Sequence, residues 1–132
     1  MLTHIHHINL LVRDLEAMVA TYRRAFGLPE PQLETLSGRG VRTARFRIGE
    51  TWLVLVQPLD PDGVPGRHLA EHGEGLFLLS LGVDDLGAAK QSLIASGTTL
   101  QGTERSGLAN WRVQDLPINT FGAAQLQLCA ET

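Results

Sequence analysis

Polar and apolar residues alternate along residues 7–12, as they do in a strand that buries one face. Asp14 follows at the position of a helix N-cap, where its carboxylate can accept hydrogen bonds from the first free N–H groups. Apolar side chains then recur at helical spacing, at Leu15, Met18, Val19, Tyr22 and Phe26. Gly27 can adopt the left-handed conformation that ends a helix. The pattern therefore predicts a strand followed directly by a helix.

A second copy of this pattern lies further along the chain. Val83 stands 71 residues after Val12, and Asp85 stands 71 residues after Asp14. Asp85 is therefore predicted to cap a second helix, which Gly97 ends. The apolar stripe of that helix is Leu86, Ala89, Leu93 and Ile94. Because internal repetition fixes an architecture, both halves should contain the same order of elements.

Each predicted helix is followed by strand-like sequence. Residues 41–48 alternate between apolar and polar side chains, and a turn leads into the apolar residues 51–57. In the second half the predicted strands are residues 111–115 and 123–129, with a turn at Gly122 between them. The sequence thus predicts several strands after each helix.

Proline and glycine are concentrated at residues 59–75, which indicates a linker with one helical turn around residues 67–71. The chain then divides into a first module at residues 1–58 and a second module at residues 76–132. We interpret the two modules as halves of a single domain, residues 1–132, because a chain of this length rarely forms two separate cores.

Composition narrows the class of protein. The chain is 43% apolar, lacks a run of 18 apolar residues, and has no basic stretch followed by an apolar core at its start. The single cysteine excludes an internal disulfide, which fits a reducing compartment, so we expect a cytoplasmic protein. The 11 basic and 14 acidic residues give a net charge of −3, which argues against a nucleic-acid partner.

Three segments of the chain resemble the vicinal oxygen chelate superfamily, which includes glyoxalase I, methylmalonyl-CoA epimerase, extradiol dioxygenases and bleomycin-resistance proteins. They are IHHINLLVRDLEAMVATYRRAFGL, RGVRTARFRIGETWLVLVQPL and HLAEHGEGLFLLSLGVDDLGAA, in this order. The resemblance covers nearly the whole chain and is closest to the epimerase and glyoxalase-like branch. It implies an α+β fold in which two βαβββ modules pair into a curved mixed sheet around a cleft.

The resemblance also implies four positions for a divalent metal, one on the first and one on the last strand of each module. In this sequence the positions are His7, Val54, Leu78 and Gln127. A divalent ion needs at least three imidazole, carboxylate or thiolate donors, so we expect no tightly bound metal and leave open only weak binding at His7 and Gln127. A site in which His4 or His6 joins His7 is disfavoured, because alternation places His6 on the opposite strand face.

Epimerisation in the resembling family uses two carboxylates as acid and base. The matching positions here are Thr43 and Gln127, and neither side chain titrates near neutral pH. We therefore disfavour methylmalonyl-CoA epimerase activity, and the missing metal ligands disfavour glyoxalase I activity.

Strand alternation and the family geometry together predict which polar residues line the cleft. They are His7, Asn9, Thr43, Arg45, Arg47, Ser80, Gln125 and Gln127, with Trp52 as an aromatic wall. The two arginines suggest an anionic ligand, although strand arginines are often solvated edge residues instead. His7 is the proposed catalytic acid or base, and its alternative is a strand residue bonded to the neighbouring backbone.

We assign no catalytic or binding role to the remaining histidines, the cysteine or Trp111. The other histidines, His4, His6, His68 and His72, are expected to be exposed or locally capped. Cys129 is expected to be a buried, unreactive thiol because no basic residue adjoins it in the sequence. Trp111 either closes one end of the cleft or belongs to the core.

Two functions from different classes fit these observations best. The first is a lyase or isomerase that needs no cofactor, acts on a small polar or anionic substrate and uses His7 for proton transfer. The second is a metal-free protein that binds a small molecule or drug, as bleomycin-resistance proteins do. A metal-dependent dioxygenase and an inactive module that associates with another chain are less favoured. The resemblance also implies a homodimer, and we expect no membrane partner.

Overall fold

The computed structural model describes every residue of the chain except Ala123. Its described residues form three α-helices and eight strands, which confirms an α+β fold. The first module contains β1 (Leu2–Leu11), α1 (Leu15–Phe26), β2 (Gln32–Leu36), β3 (Val41–Ile48) and β4 (Thr51–Pro58). Helix α2 (Val64–His72) follows, and then β5 (Gly75–Val83), α3 (Leu86–Ala95), β6 (Gln101–Ser106), β7 (Trp111–Asp115) and β8 (Leu126–Glu131). The predicted βαβββ order therefore occurs twice.

Both helix caps that the sequence predicts are present. Asp14 accepts a hydrogen bond from the N–H of Ala17 at 3.1 Å, and Asp85 accepts one from Ala88 at 3.0 Å. Gly27 ends α1 in the left-handed conformation, with φ of 64°. These ends are set by residues adjacent in the sequence, which is why they are predictable.

Two predicted boundaries differ from the structure. Helix α2 spans nine residues instead of one turn, and it begins after Gly63 with a proline in its first turn. A side chain at Gly66 would place its Cβ 2.2 Å from the carbonyl oxygen of Asp60, so the helix packs against the preceding loop through a glycine. The last strand begins at Leu126 instead of residue 123, which lies outside the described residues.

The described residues group into two compact units, which we name the central unit (Ile8–Phe77) and the terminal unit (Met1–His7 with Leu78–Thr132). In the central unit the strand order is β2-β3-β4-β1, and all pairs among β2, β3 and β4 are antiparallel. Helix α1 covers its core, which consists of Val12, Leu15, Ala44, Phe46 and Leu55.

In the terminal unit the strand order is β1-β5-β8-β7-β6. Helix α3 covers the core residues Val83, Leu86, Ala89, Leu116, Leu128 and Ala130. Because Leu128 and Ala130 point towards this core, the alternate residues Gln127, Cys129 and Glu131 point to the other face of β8. Register places Asp115, Val113 and Trp111 of β7 opposite these three residues, on the same face.

None of the helices that the structure describes is long and apolar enough to span a membrane.

Candidate active site

Two adjacent histidines of β1 are both buried in the terminal unit. His6 and His7 are 2% and 4% exposed, and their Nδ1 atoms lie 2.9 Å apart. Both rings contact Trp111, with His7 stacked at 4.6 Å between centroids and His6 edge-on at 4.7 Å. Adjacent side chains of a regular strand point to opposite faces, yet these two rings contact each other and the same indole ring. The expectation that His6 points away from His7 and is exposed or locally capped is therefore wrong, because His6 is buried beside His7.

Glu131 extends this histidine pair. Its Oε1 lies 2.9 Å from Nε2 of His6. An ionised carboxylate only accepts hydrogen bonds, so Nε2 of His6 carries the proton and Nδ1 of a neutral His6 is an acceptor. With His6 neutral in this tautomer, Nδ1–H of His7 is the donor in the 2.9 Å contact, and Nε2 of His7 carries a lone pair. The arrangement is a chain of hydrogen bonds that runs from a carboxylate to an unprotonated ring nitrogen.

The environment of His7 keeps its ring neutral. Burial is the largest cause, and the nearby His6 and Arg105 act in the same direction; together they lower the pKa of His7 from 6.5 to about 3. A positive charge on the buried His7 ring is therefore disfavoured.

A second hydrogen-bond network surrounds Gln127. The hydroxyl of Ser80 donates to its Oε1 at 2.9 Å, and its Nε2 donates to Asp115 at 3.0 Å. Asp115 is also paired with Arg105 at 3.1 Å. The structure thus joins two of the predicted site residues, Ser80 and Gln127, and fixes the orientation of the amide. Gln125 is half-buried, and its backbone carbonyl accepts a hydrogen bond from the N–H of Leu79.

The other predicted site residues belong to the central unit. Thr43 is buried and donates to the carbonyl of Glu34 at 2.9 Å, while Arg45 pairs with the carboxylate of Glu34 at 2.8 Å. The guanidinium carbons of Arg45 and Arg47 lie 5.3 Å and 5.2 Å from the ring centroid of Trp52. Arg47 is exposed, so this cluster presents positive charge and an aromatic ring to solvent.

Asn9 also belongs to the central unit. Its Oδ1 is buried and has no hydrogen-bond partner among the described residues. Leaving a buried acceptor unsatisfied is costly, so this atom is suited to bind a donor from a ligand or from water.

Cys129 is fully buried, as expected, and the pKa of its thiol is raised to about 12, mainly by burial and also by Glu131. Its surroundings differ from those that the sequence indicates. The Sγ atom and one ring nitrogen from each of His6 and His7 all lie within 4.8 Å of one another. Two imidazoles therefore adjoin the thiol in space, although no basic residue adjoins it in sequence.

The remaining histidines have local partners or face solvent. His4 is 2.8 Å from the hydroxyl of Thr3, and its ring covers Gly82, where a Cβ would lie 2.6 Å from the ring. His68 packs edge-on against Phe77 at 4.9 Å, and burial lowers its pKa. His72 is exposed.

The four positions that the family uses for a metal do not fit one in this chain. Val54 and Leu78 are buried hydrocarbon side chains and offer no ligand atom. The amide of Gln127 is already bonded to Ser80 and Asp115. Weak binding at His7 and Gln127 stays a prediction.

Sequence reasoning assigned no role to the residues that contact or influence His7 and Gln127. They are His6, Trp111 and Arg105 near His7, Glu131 beyond His6, and Asp115 beside Gln127. A register for β7 and β8 would have indicated two of them, because Asp115 lies opposite Gln127 and Trp111 lies opposite Glu131. No pattern in the sequence indicates that the rings of His6 and His7 meet.

Comparison with known proteins places these observations in a family. The model of the Glyoxalase/Bleomycin resistance protein/Dioxygenase superfamily matches residues 4–113. No curated protein matches the chain.

Several solved structures share the fold over nearly the full chain. A variant of Streptomyces coelicolor methylmalonyl-CoA epimerase in complex with 2-nitronate-propionyl-CoA is 28% identical with a TM-score of 0.94, covering 100% of this chain and 99% of that one. Methylmalonyl-CoA epimerase from Mycobacterium tuberculosis is 26% identical with a TM-score of 0.93, covering 99% and 89%. A hypothetical protein from Bacillus halodurans, 21% identical with a TM-score of 0.91 over 97% and 94%, shares the fold. The chain belongs to the Glyoxalase/Bleomycin resistance protein/Dioxygenase superfamily.

Proposed function

We propose that this protein is an isomerase-type or lyase-type enzyme that moves a proton on a small polar or anionic substrate, with His7 as the catalytic base. The observation that carries this proposal is the chain of hydrogen bonds from the exposed carboxylate of Glu131 through the buried His6 to the buried His7. A structural histidine pair needs no carboxylate at its far end, whereas proton transfer benefits from one.

The proposed step begins at Nε2 of His7. This atom takes a proton from a substrate carbon next to a carbonyl group, the C–H bond breaks, and its electron pair forms an enolate. The Nδ1 proton of His7 moves to Nδ1 of His6, so the positive charge comes to lie beside Glu131. Return of the proton to the same or a neighbouring carbon completes an isomerisation, and loss of a leaving group completes an elimination.

Related enzymes and the charge of the arginines support a substrate class. Two of the similar structures are methylmalonyl-CoA epimerases, and one of these is in complex with 2-nitronate-propionyl-CoA. We therefore propose a carboxylate or acyl thioester with an acidic C–H bond as the substrate class. Thr43 and Gln127 replace the two carboxylates of the family, so His7 is proposed to take over proton removal.

We further propose that the polar side chains predicted for the cleft bind this substrate. They are Asn9, Thr43, Arg45, Arg47, Trp52, Ser80, Gln125 and Gln127. Two features support this. Asn9 has an unsatisfied acceptor, and Arg47 is an exposed cation beside Trp52.

A second candidate is a binding protein of the bleomycin-resistance type. The observation that favours it is that the hydroxyl of Thr43 and the amide of Gln127 are already bonded within the protein. The side chains of Thr43 and Gln127 can contact a bound ligand without taking part in a reaction.

Deuterium exchange tests the first candidate against the second. Carboxylates and acyl-CoA thioesters are incubated with the protein in D₂O, and loss of each C–H signal is followed by proton NMR. We expect exchange with the native chain, none with His7→Gln, and full exchange with the control His72→Gln, because His72 is exposed and outside the site. Ligand that binds but never exchanges would favour the binding protein.

A further inference from the structure

We propose that His6, His7 and Cys129 form a binding site for a thiophilic divalent metal ion such as Zn²⁺ or Co²⁺. One ring nitrogen from each histidine and the Sγ atom lie within 4.8 Å of one another, and all three residues are buried. The site shares only His7 with the family's four positions, because Val54, Leu78 and Gln127 contribute nothing to it and His6 and Cys129 are new donors.

The donor set selects the class of ion. Two imidazole nitrogens and one thiolate suit zinc and cobalt, whereas magnesium and calcium prefer oxygen ligands. Bonds of about 2.1 Å to nitrogen and 2.3 Å to sulfur in a tetrahedral site separate the donor atoms by about 3.3–3.6 Å. These separations lie between two distances in the structure. The Nδ1 atoms of His6 and His7 are 2.9 Å apart, and the three donor atoms all lie within 4.8 Å of one another. An ion therefore fits after small side-chain movements.

Glu131 supports metal binding from outside the cluster. By accepting a hydrogen bond from Nε2–H of His6 at 2.9 Å, it directs the lone pair of Nδ1 in that ring towards His7. A carboxylate bonded to the far nitrogen of a ligating histidine is a common arrangement around zinc, where it fixes the tautomer and orients the ring. Stacking on Trp111 restrains the ring of His7 in the same way.

Metal binding moves two protons, one from Cys129 and one within His7. The thiol of Cys129 loses its proton to solvent when the sulfur–metal bond forms, and the proton of His7 moves from Nδ1 to Nε2 as Nδ1 binds the ion. One proton is released for each ion. Because the ion replaces the hydrogen bond between the two histidines, it competes with the proton transfer proposed above.

The test uses Co²⁺ and the purified full chain. A chelator first strips any bound metal and is then removed, and the reductant contains no thiol. The chain has one cysteine, so a thiolate-to-cobalt charge-transfer band in the near ultraviolet can come only from Cys129. We expect this band to saturate at one equivalent of Co²⁺, together with the intense visible absorption of a four-coordinate ion, and to disappear when Zn²⁺ is added.

Three variants locate the site. Cys129→Ser should lose the near-ultraviolet band, and Glu131→Gln should keep the band but weaken Co²⁺ binding by about 10- to 100-fold. His72→Gln, which changes an exposed histidine, should bind like the native chain. Circular dichroism and thermal unfolding confirm that each variant is folded.

Absence of the band in folded native protein would overturn the proposal, as would equal Co²⁺ affinity in the native and Glu131→Gln chains. If Cys129→Ser does not fold, His6→Gln takes its place, and unchanged Co²⁺ affinity in that variant overturns the proposal equally. Because these readouts need no substrate, they stand or fall independently of the proposed enzymatic activity.

Discussion

The terminal and central units hold similar polar residues in different ways. In the terminal unit polar side chains are bonded to one another and reach inwards, as in the chain from the exposed Glu131 to the buried His6 and His7. In the central unit Arg47 and Trp52 meet near solvent, and Thr43 is bonded to a backbone carbonyl. Buried networks fix tautomers and orientations, whereas exposed clusters attract ligands by charge. In the proposed function, the terminal unit therefore supplies the proton transfer and the central unit attracts the ligand.

The largest effect is expected when His6, the proposed proton acceptor, is removed while His7, the proposed base, is kept. His6→Gln retains His7 but removes the ring that receives its proton, so we expect kcat for exchange to fall by about 100- to 10,000-fold with little change in KM. Steady-state exchange rates by NMR measure both constants. A change confined to KM would show that His6 only shapes the site.

Acid should destabilise the native protein through His7. The unfolded chain takes up this proton below about pH 6.5, but the folded chain does so only near pH 3, because its pKa is lowered to about 3. Stability present above pH 6.5 is therefore lost as the pH falls towards 3, by up to about 1.4 kcal/mol per pH unit.

Denaturant unfolding of the native chain and of His7→Gln across this range, with a chelator present, checks the expectation. The variant should show a shallower dependence on pH. Parallel curves for the two proteins would contradict the assignment of the acid sensitivity to His7.

Matched substitutions compare the polar networks of the two units. Gln127→Leu leaves Ser80 and Asp115 each without a partner, so we expect a loss of about 1–3 kcal/mol in the free energy of unfolding. Thr43→Val removes one bond to a backbone carbonyl and should cost about 1 kcal/mol. Equal losses in denaturant unfolding would mean that the buried network adds no extra stability.

The smallest expected effect on stability is at the exposed arginine. Arg47→Ala should change the free energy of unfolding by less than about 0.5 kcal/mol, because the side chain is exposed. If Arg47 attracts anionic substrate, the same variant raises KM at low salt and leaves kcat unchanged. Ionic-strength dependence of KM provides the control, since salt screens an exposed charge.

Local signals in the sequence account for much of the fold. Asp14 and Asp85 were predictable as caps because a cap depends on neighbours within one turn. The strand at residues 41–48 was predictable because its apolar residues alternate with polar ones. Strands β2 and β6, QLETL and QGTERS, were not located from the sequence because they are short and largely polar.

The candidate site was predictable only in part, for two physical reasons. Alternation predicts opposite faces for adjacent strand residues, yet the rings of His6 and His7 both contact Trp111, and no residue type signals this. Glu131 lies 125 residues from His6, so its contact depends on sheet register. The role proposed for His7 came from the family resemblance, whereas its supporting partners required the structure.

Nitrogen NMR shows whether the Glu131 carboxylate sets the tautomers of His6 and His7. Protein labelled with ¹⁵N-histidine, free of metal and at neutral pH, gives two-bond ring correlations that identify each tautomer, and His6→Gln and His7→Gln spectra assign the signals. We expect His6 to carry its proton on Nε2 and His7 to carry its proton on Nδ1. A His7 ring protonated on Nε2, or on both nitrogens, would contradict this expectation.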